Sequence, residues 1–172
     1  MQNLRRGMLL GLVALTVVVA VPLVVRWVLS PREPAIEIVL PSGTTRTVTL
    51  AALRRLPVLS RPGEYQNQFG NWRDAGTYTG VRLADLFGNV AYATVEVVAA
   101  DGYHVFIERV RVENPEYPMI IAYAYGGVEV PSWEDGFRIA ILPEDGRVSN
   151  EEYRTTSAGS YWVKSVVRLT LQ

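Results

Sequence analysis

The sequence contains no cysteine and a single histidine, His104. Without cysteine the chain cannot form disulfides, thiolate metal ligands, a cysteine nucleophile or a lipidated-cysteine anchor. One histidine also makes a Ser-His-Asp triad or a multi-histidine metal site hard to build. These absences argue against the common classes of thiol, triad and histidine-metal enzymes.

Basic residues are scarce in most of the chain. Three of the 17 Lys and Arg residues, but none of the 17 Asp and Glu residues, lie in residues 1–29. The remainder is therefore acidic overall, and its single lysine is Lys164. A nucleic-acid surface needs clustered Lys and Arg, so we expect no nucleic-acid partner.

The long apolar run of the sequence lies at its N-terminal end. Residues 7–25 are nineteen residues without a charge, close to the length that crosses the ~30 Å hydrocarbon core of a bilayer. Arg5 and Arg6 precede the run, and the positive-inside tendency then places the N-terminus in the cytoplasm. We predict that residues 1–29 form a single transmembrane anchor that holds the rest outside the cytoplasm, in the periplasm or at the cell surface. A signal peptide cleaved near residue 20 is the alternative, and it exports the same domain.

The rest of the chain is long enough for one domain with its own core. Residues 30–35, which include Pro31 and Pro34, are predicted to form a short linker, and residues 36–172 to form the domain. Segments rich in β-branched and aromatic residues predict strands, over residues 35–40, 44–50, 94–99, 103–107, 119–125, 137–142 and 162–171.

Helices are predicted to be few and short. Thr49 is a suitable N-cap for a helix over residues 50–56, and a second helix is predicted from residue 79 or 80 to residue 87. The polar, glycine-containing stretch 60–79 is predicted to be a long loop, and loops of this length are often functional. The pattern as a whole is α+β, with mixed β-sheets and short helices.

Residues 77–87 (TYTGVRLADLF) resemble a known segment. They are similar to the Trp/Tyr-x-Gly-Val-x-Leu-x-Asp-Leu-Leu sequence in the molybdopterin-binding domain of the sulfite oxidase family. The likeness covers residues 36–171 and implies the sulfite-oxidase-type molybdopterin-binding fold, with molybdopterin as the candidate cofactor. Other family segments are matched in order by residues 95–103 (VEVVAADGY), 119–130 (MIIAYAYGGVEV), 137–143 and 162–168.

The chain departs from that family in its chemistry. In the family's catalytic members a cysteine thiolate ligates molybdenum, from the loop ahead of the resembling segment. The corresponding residues here are 65–72 (YQNQFGNW), and the cysteine position falls near Gln68. An amide does not replace the soft thiolate that holds and tunes the metal. The resemblance therefore supports the fold better than the oxidoreductase activity, and no catalytic or metal-ligating residue is assigned.

Two polar segments supply the candidate cofactor-binding or ligand-binding residues. Residues 66–73 combine amides with an aromatic ring for stacking and an arginine, and Arg82 is a second basic candidate for a cofactor phosphate. Residues 149–159 offer hydroxyls and a guanidinium to an anion. In each segment the alternative is an ordinary loop. The predicted site residues are Asn67, Gln68, Asn71, Trp72, Arg73, Arg82, Arg154, Thr156 and Ser157.

Two other features are predicted to be structural. His104 follows the Asp101-Gly102 turn and is expected to be a surface or half-buried strand histidine. The second feature is an aromatic group that is expected to pack in the core or at strand edges, with a partner surface as the alternative. Its members are Tyr117, Tyr123, Tyr125 and Trp133.

Three functions remain open at this point. The leading hypothesis is a membrane-anchored extracytoplasmic domain that binds a small molecule or a membrane-protein partner without catalysis. The second is a molybdopterin-dependent oxidoreductase that lacks cysteine ligation of its metal. The third is a structural envelope protein, in which Phe69 and Trp72 would pack inward and fill the pocket.

Overall fold

Strands dominate the computed structural model of the protein, which describes residues 33–172. The strands of this part are β1 (Ala35–Val39), β2 (Thr45–Thr49), β3 (Val58–Gln66), β4 (Trp72–Arg82), β5 (Thr94–Ala99), β6 (His104–Glu108), β7 (Met119–Tyr125), β8 (Val128–Glu129), β9 (Arg138–Ile141), β10 (Arg147–Val148) and β11 (Val166–Leu171). Its short helices are α1 (Leu50–Leu53), α2 (Leu83–Phe87) and α3 (Arg109–Val112), with a 3-10 helix over Ala158–Tyr161. Sheets with a few short helices confirm the predicted α+β class.

The strands form two mixed sheets. The first has the order β2-β1-β11-β5-β6, and within it β1 and β11 are parallel. The second has the order β10-β3-β4-β7-β8, with β9 also paired to β7, and within it β10 and β3 are parallel. The other pairings are antiparallel.

The hydrophobic core draws on both sheets. In β5 the buried and half-buried positions alternate, as expected of a strand with one face on the core. In β7 six consecutive residues are buried, so this strand is covered on both faces. One cluster of buried residues includes Val95 and Leu169 of the first sheet with Ile121 and Ile139 of the second.

The stretch 60–79, predicted to be a loop, is instead most of the β3–β4 hairpin. Gly63 and Gly76 lie opposite each other in its register. A Cβ added at Gly63 would lie 2.9 Å from the Trp162 ring, and one added at Gly76 would strike the Tyr125 ring. The glycines therefore permit close packing inside strands. The loop prediction was wrong because it took them for turn residues.

Other boundaries also differ from the predictions. Helix α2 begins at Leu83, later than predicted, because Thr79 to Arg82 still pair with β7. The last strand begins at Val166 rather than at residue 162, and a register shift follows Val166. Beside that shift Val167 is 42% exposed, whereas Leu169, two residues later, is fully buried.

Local signals with a direct mechanism were confirmed. The Thr49 hydroxyl accepts a hydrogen bond from the Ala52 amide at 3.2 Å and caps α1. Asp101 and Gly102 form the turn between β5 and β6, and Gly102 has a φ of 88°. Such a positive φ favours glycine.

The predicted anchor over residues 1–29 lies outside the described residues. Between residues 33 and 172, no helix has the length and apolar character needed to cross a bilayer. Pro34–Gln172 form one compact unit.

Candidate functional site

An open cleft of about 990 Å³ lies beside the β3–β4 hairpin. Its walls come from the start of β4, from the segment around α3, and from the segment that follows β9. Most of the lining is polar. The lining residues are Trp72, Glu108, Val110, Arg111, Asn114, Glu116, Tyr117, Asp145, Arg147, Ser149, Glu151, Glu152, Tyr153 and Arg154.

Asn150 fastens the two polar segments of the sequence to each other. Its side-chain amide nitrogen donates to the Asn67 carbonyl at 2.8 Å, and its own backbone amide donates to the Gln66 side-chain oxygen at 2.9 Å. The Asn150 side-chain oxygen accepts from the Ala158 amide at 2.8 Å. The turn of the β3–β4 hairpin and the 149–159 segment, which the sequence proposed separately, therefore form one wall region.

Trp72 and Arg147 form a polar-aromatic part of the cleft wall. The Arg147 guanidinium carbon lies 4.2 Å from the Trp72 ring centroid, within cation–π distance. The same guanidinium pairs with Glu64 at 2.9 Å across the neighbouring strands β10 and β3. Arg147 is thus positioned by both a ring and a carboxylate.

Arg111 lies in the cleft lining between two tyrosines. Its guanidinium carbon lies 4.7 Å from the Tyr153 ring centroid and 5.3 Å from that of Tyr161. One of its nitrogens donates to the Tyr153 carbonyl at 3.0 Å. Burial raises the pKa of the Tyr153 phenol, and the Arg111 charge opposes that shift. Arg111 is therefore held in place while it makes no ion pair among the described residues.

The structure brings two of the nine predicted site residues into this cleft. Trp72 forms part of one wall and Arg154 part of another. Arg154 has a φ of 51°, an uncommon conformation for a residue with a side chain. The remaining seven lie outside the lining, so the predicted set is not one site as it stands.

The hairpin residues of the predicted set have local roles. The Asn67 side-chain oxygen accepts hydrogen bonds from the Phe69 and Asn71 amides, both at 3.0 Å, and so closes the turn. Gln68 and Asn71 are exposed on this turn. This geometry agrees with the turn alternative for Asn67.

The other predicted residues are spread more widely. Arg73 is exposed on β4, and Arg82 is half-buried where β4 meets α2. Thr156 is exposed, and the Ser157 carbonyl accepts a hydrogen bond from the Ser160 hydroxyl at 2.7 Å. None of these four lines the cleft.

Sequence reasoning missed most of the residues that line the cleft. Arg111 and Glu108 lie in a segment with no recognisable motif, and Arg147 follows the Asp145-Gly146 turn. The one available signal was the run of alternating charge and β-branched residues over 108–113 (ERVRVE), which is typical of a strand or helix end with exposed side chains.

A second charged group lies on β4 and β9. Arg138 is 1% exposed, and it donates to the carboxylates of Asp74 and Asp135. Lys164 approaches Asp135 at 3.2 Å and Asp74 at 3.5 Å from the solvent side. The group balances two cations with two anions, and it was not foreseen from the sequence.

Aromatic rings surround the buried guanidinium. The Arg138 guanidinium carbon lies 5.5 Å from the Trp162 ring centroid, 5.6 Å from that of Tyr78 and 5.9 Å from that of Tyr65. The Tyr78 hydroxyl donates to the Asp74 carbonyl at 2.6 Å, and burial raises its pKa strongly. The described contacts of this group make it a structural centre.

The aromatic group predicted around β7 is divided in two. Tyr125 and Trp133 stack with centroids 5.8 Å apart and an interplanar angle of 16°. Tyr117 lies elsewhere, in the cleft wall, with its ring centroid 5.4 Å from that of Tyr153. His104 is exposed as expected, and its Nδ1 lies 2.9 Å from a Glu96 carboxylate oxygen.

The side chains around the cleft do not fit the molybdenum cofactor of the family that the sequence resembles. The chain has no thiolate to ligate the metal. Residues 33–172 contain no group of three or more His, Cys, Asp or Glu side chains placed to hold a metal ion. Five carboxylates and three guanidiniums line the cleft, and this excess of negative charge opposes a phosphate-bearing cofactor.

Comparison with known proteins places the fold and leaves the family open. The chain matches no protein-family profile and no curated protein sequence. It is similar in structure to the sulfane dehydrogenase SoxCD from Paracoccus pantotrophus, with a TM-score of 0.58 and 14% sequence identity. The match covers 83% of this chain but only 39% of that one. The two proteins therefore have distantly related folds. The region of similarity spans less than half of the dehydrogenase chain.

Proposed function

We propose that this protein is a non-catalytic binding module, and that the cleft between Trp72 and Arg111 is its binding site. The observation that carries the proposal is the cleft itself. It is open and has positioned aromatic and guanidinium groups, in a chain without the thiolate that the resembling family uses for catalysis. Concave sites with a few converging polar groups are the usual places where ligands bind.

The exposure of Phe69 and Trp72 supports this proposal, because a purely structural protein would bury both side chains. Phe69 is 77% exposed at the hairpin turn, and Trp72 is half-buried in the cleft wall. Neither side chain occupies a core position. The cleft is therefore open where the structural alternative requires it to be filled.

We further infer that the domain has the sulfite-oxidase-type molybdopterin-binding fold. The resembling segments of the sequence and the likeness to a dehydrogenase structure support this inference. The same likeness keeps an oxidoreductase as the second candidate, because that neighbour's name describes a redox enzyme.

Elemental analysis distinguishes the two candidates. The full-length chain would be produced in a host that makes molybdopterin and purified in a mild detergent. Its molybdenum content would then be measured, together with pterin fluorescence after denaturation. We expect neither at a stoichiometric level in a well-folded sample. Near-stoichiometric molybdenum and pterin would overturn the proposal and establish the oxidoreductase.

We also propose that residues 1–29 tether the domain to a membrane with the cleft outside the cytoplasm. The uncharged run 7–25 and the preceding Arg5 and Arg6 support this orientation. A C-terminal alkaline phosphatase fusion should be active, whereas a fusion to green fluorescent protein exported by the same route should be dark. The reverse result would contradict the orientation. The mass of the mature chain separates an anchor from a cleaved signal peptide.

A further inference from the structure

The cleft has an unbalanced set of charges. Glu108, Glu116, Asp145, Glu151 and Glu152 contribute five carboxylates to its lining, against three guanidiniums. Glu108, Glu116 and Glu151 form no ion pair among the described residues. The guanidinium of Arg147 is already paired with Glu64, which lies outside the lining. The free charge of the cleft is therefore negative.

The phenol of Tyr117 lies within this negative field. Burial raises the pKa of Tyr117, and the charges of Glu152, Asp145 and Glu116 raise it further. A group that carries positive charge would gain from the same field. Charge complementarity thus favours a basic ligand.

The aromatic and guanidinium side chains of the wall have the composition of a protein interface. Trp72, Arg111 and Tyr153 belong to the residue types that dominate the energetics of such interfaces. Tyr153 is 4% exposed, so its ring is a fixed part of this wall.

The shape of the cleft favours a polypeptide over a small molecule. Pockets for small molecules are mostly apolar and enclose most of their ligand, whereas this cleft is open and polar. It continues onto β6, the outer strand of the first sheet, through Glu108. Val110 at the rim is 72% exposed, and an apolar side chain of a bound segment could pack against it.

We propose that the cleft binds a basic polypeptide segment of a partner protein. The Lys or Arg side chains of the segment lie among Glu108, Glu116 and Glu151, and its main-chain carbonyls accept from the N–H groups of Arg111 that Tyr153 leaves unused. This proposal rests on the proposed binding function and adds the class of ligand to it.

A peptide array tests the class of ligand directly. Immobilised nonapeptides of mixed sequence, with Arg, Lys, Gln or Glu fixed at the central position, would be probed with the detergent-purified full-length chain. We expect retention on the Arg and Lys sets at least tenfold above the Glu set. The best Arg peptide would then be labelled and its Kd measured in solution by fluorescence anisotropy.

Variants connect that binding to the cleft. The double variant Glu116→Gln with Glu151→Gln should weaken the Arg peptide at least fivefold. Glu37→Gln, an exposed change on β1 outside the cleft lining, should leave the Kd within twofold. Equal loss in both would mean non-specific attraction and would overturn the proposal. Preference for Glu peptides or absence of binding would also overturn it. Displacement of the peptide by micromolar spermidine would overturn it too, because that result would assign the cleft to small amines.

Failure here is distinguishable from failure of the proposed function. A chain free of molybdenum and pterin that ignores basic peptides is still a candidate binding module for another ligand. A chain loaded with molybdenum and pterin is an oxidoreductase, whatever its behaviour on the array.

Discussion

Arg138 donates a hydrogen bond to the carboxylate of Asp74, which lies 64 residues earlier in the chain and on a different strand. The pair joins β4 to β9 across the strand between them, β7. Asp74 has a φ of 55°, a conformation that costs free energy for a residue with a side chain. The geometry indicates that this pair organises the second sheet beside the cleft.

Replacement of Arg138 should destabilise the fold. Arg138→Met removes the hydrogen bonds to Asp74 and Asp135 and leaves two carboxylates that are only partly exposed. Removal of one partner from a buried ion pair typically costs about 3–5 kcal/mol, and Lys164 compensates in part. We expect a loss of about 3 kcal/mol in the free energy of unfolding, measured by urea denaturation. Arg168→Met, on an exposed residue, should change it by about 0.5 kcal/mol or less. Similar values for the two variants would contradict a structural role for the pair.

Acid should weaken the protein partly through Asp74. Burial raises the pKa of this carboxyl, but the hydrogen bond and charge of Arg138, with help from Lys164, hold it below the usual 3.8. A carboxyl whose pKa is lower in the folded than in the unfolded state stabilises the fold at pH values above the unfolded pKa. This stabilisation is lost as the pH falls through the folded pKa. Urea midpoints of the wild type should therefore drop below about pH 4. Asp74→Asn should be less stable at neutral pH and show a shallower drop, whereas Glu144→Gln should follow the wild type. An unchanged acid slope in Asp74→Asn would count against this assignment.

Signals that act between near neighbours could be recognised from the sequence. The Thr49 cap, the Asp101-Gly102 turn and the alternating strand β5 depend on residues a few positions apart. The β3–β4 hairpin could not be recognised, because Gly63 is explained by the side chains of Leu142 and Trp162, and Gly76 by the ring of Tyr125. Local patterns do not show which side chain will fill the space above a glycine.

The candidate cleft could be foreseen only in part, for the same reason. Trp72 and Arg154 were identified as candidates, and the structure places both in one cleft. The two segments that carry them are connected by Asn150, which donates to the carbonyl of Asn67, 83 residues earlier. Arg111 reaches the cleft from a third segment. Such long-range pairing leaves no periodic signal in the sequence.

Asn150 should control the order of the cleft wall. Asn150→Ala removes the side-chain hydrogen bonds to Asn67 and Ala158. Because each net hydrogen bond contributes about 0.5–1.5 kcal/mol, we expect a loss of about 2 kcal/mol in unfolding free energy. Hydrogen exchange should also speed up at the amides of residues 67–71 and 158. Asn89→Ala, on an exposed residue, is the matched control and should leave both measurements unchanged. Unaltered exchange in Asn150→Ala would show that the wall is held by other contacts.

Tyr92 should make the protein sensitive to alkali. Its hydroxyl is buried without a hydrogen-bond partner, and burial, followed by the Glu113 charge, raises its pKa to about 12. A phenol whose pKa is raised in the folded state stabilises the fold at pH values below its ordinary pKa of 10. This stabilisation is lost as the pH rises through the folded pKa. Tyr92→Phe should flatten the loss of stability above about pH 10. It should also raise stability at neutral pH by about 1 kcal/mol, because it removes an unpaired polar group. Tyr103→Phe removes an exposed hydroxyl bonded to Ser160 and should not stabilise the protein. A destabilised Tyr92→Phe would mean that the hydroxyl has a partner.

Gly80 should tolerate substitution far less well than Gly76. A Cβ at Gly80 would lie within 2.6 Å of the Ala122 Cα and still closer to the Ile121 carbonyl oxygen, both of which are backbone atoms of the central strand β7. A Cβ at Gly76 meets the outer end of the Tyr125 side chain, which is half-buried and can turn away. Backbone atoms in a fully buried strand can move only if the ladder between β4 and β7 opens. We therefore expect Gly80→Ala to cost more than about 3 kcal/mol or to prevent folding, in line with severe overpacking. Gly76→Ala should cost about 1–2 kcal/mol and keep a cooperative unfolding transition, measured by circular dichroism during urea titration. If Gly80→Ala folded with near wild-type stability, the close approach of β4 to β7 at this point would be wrong.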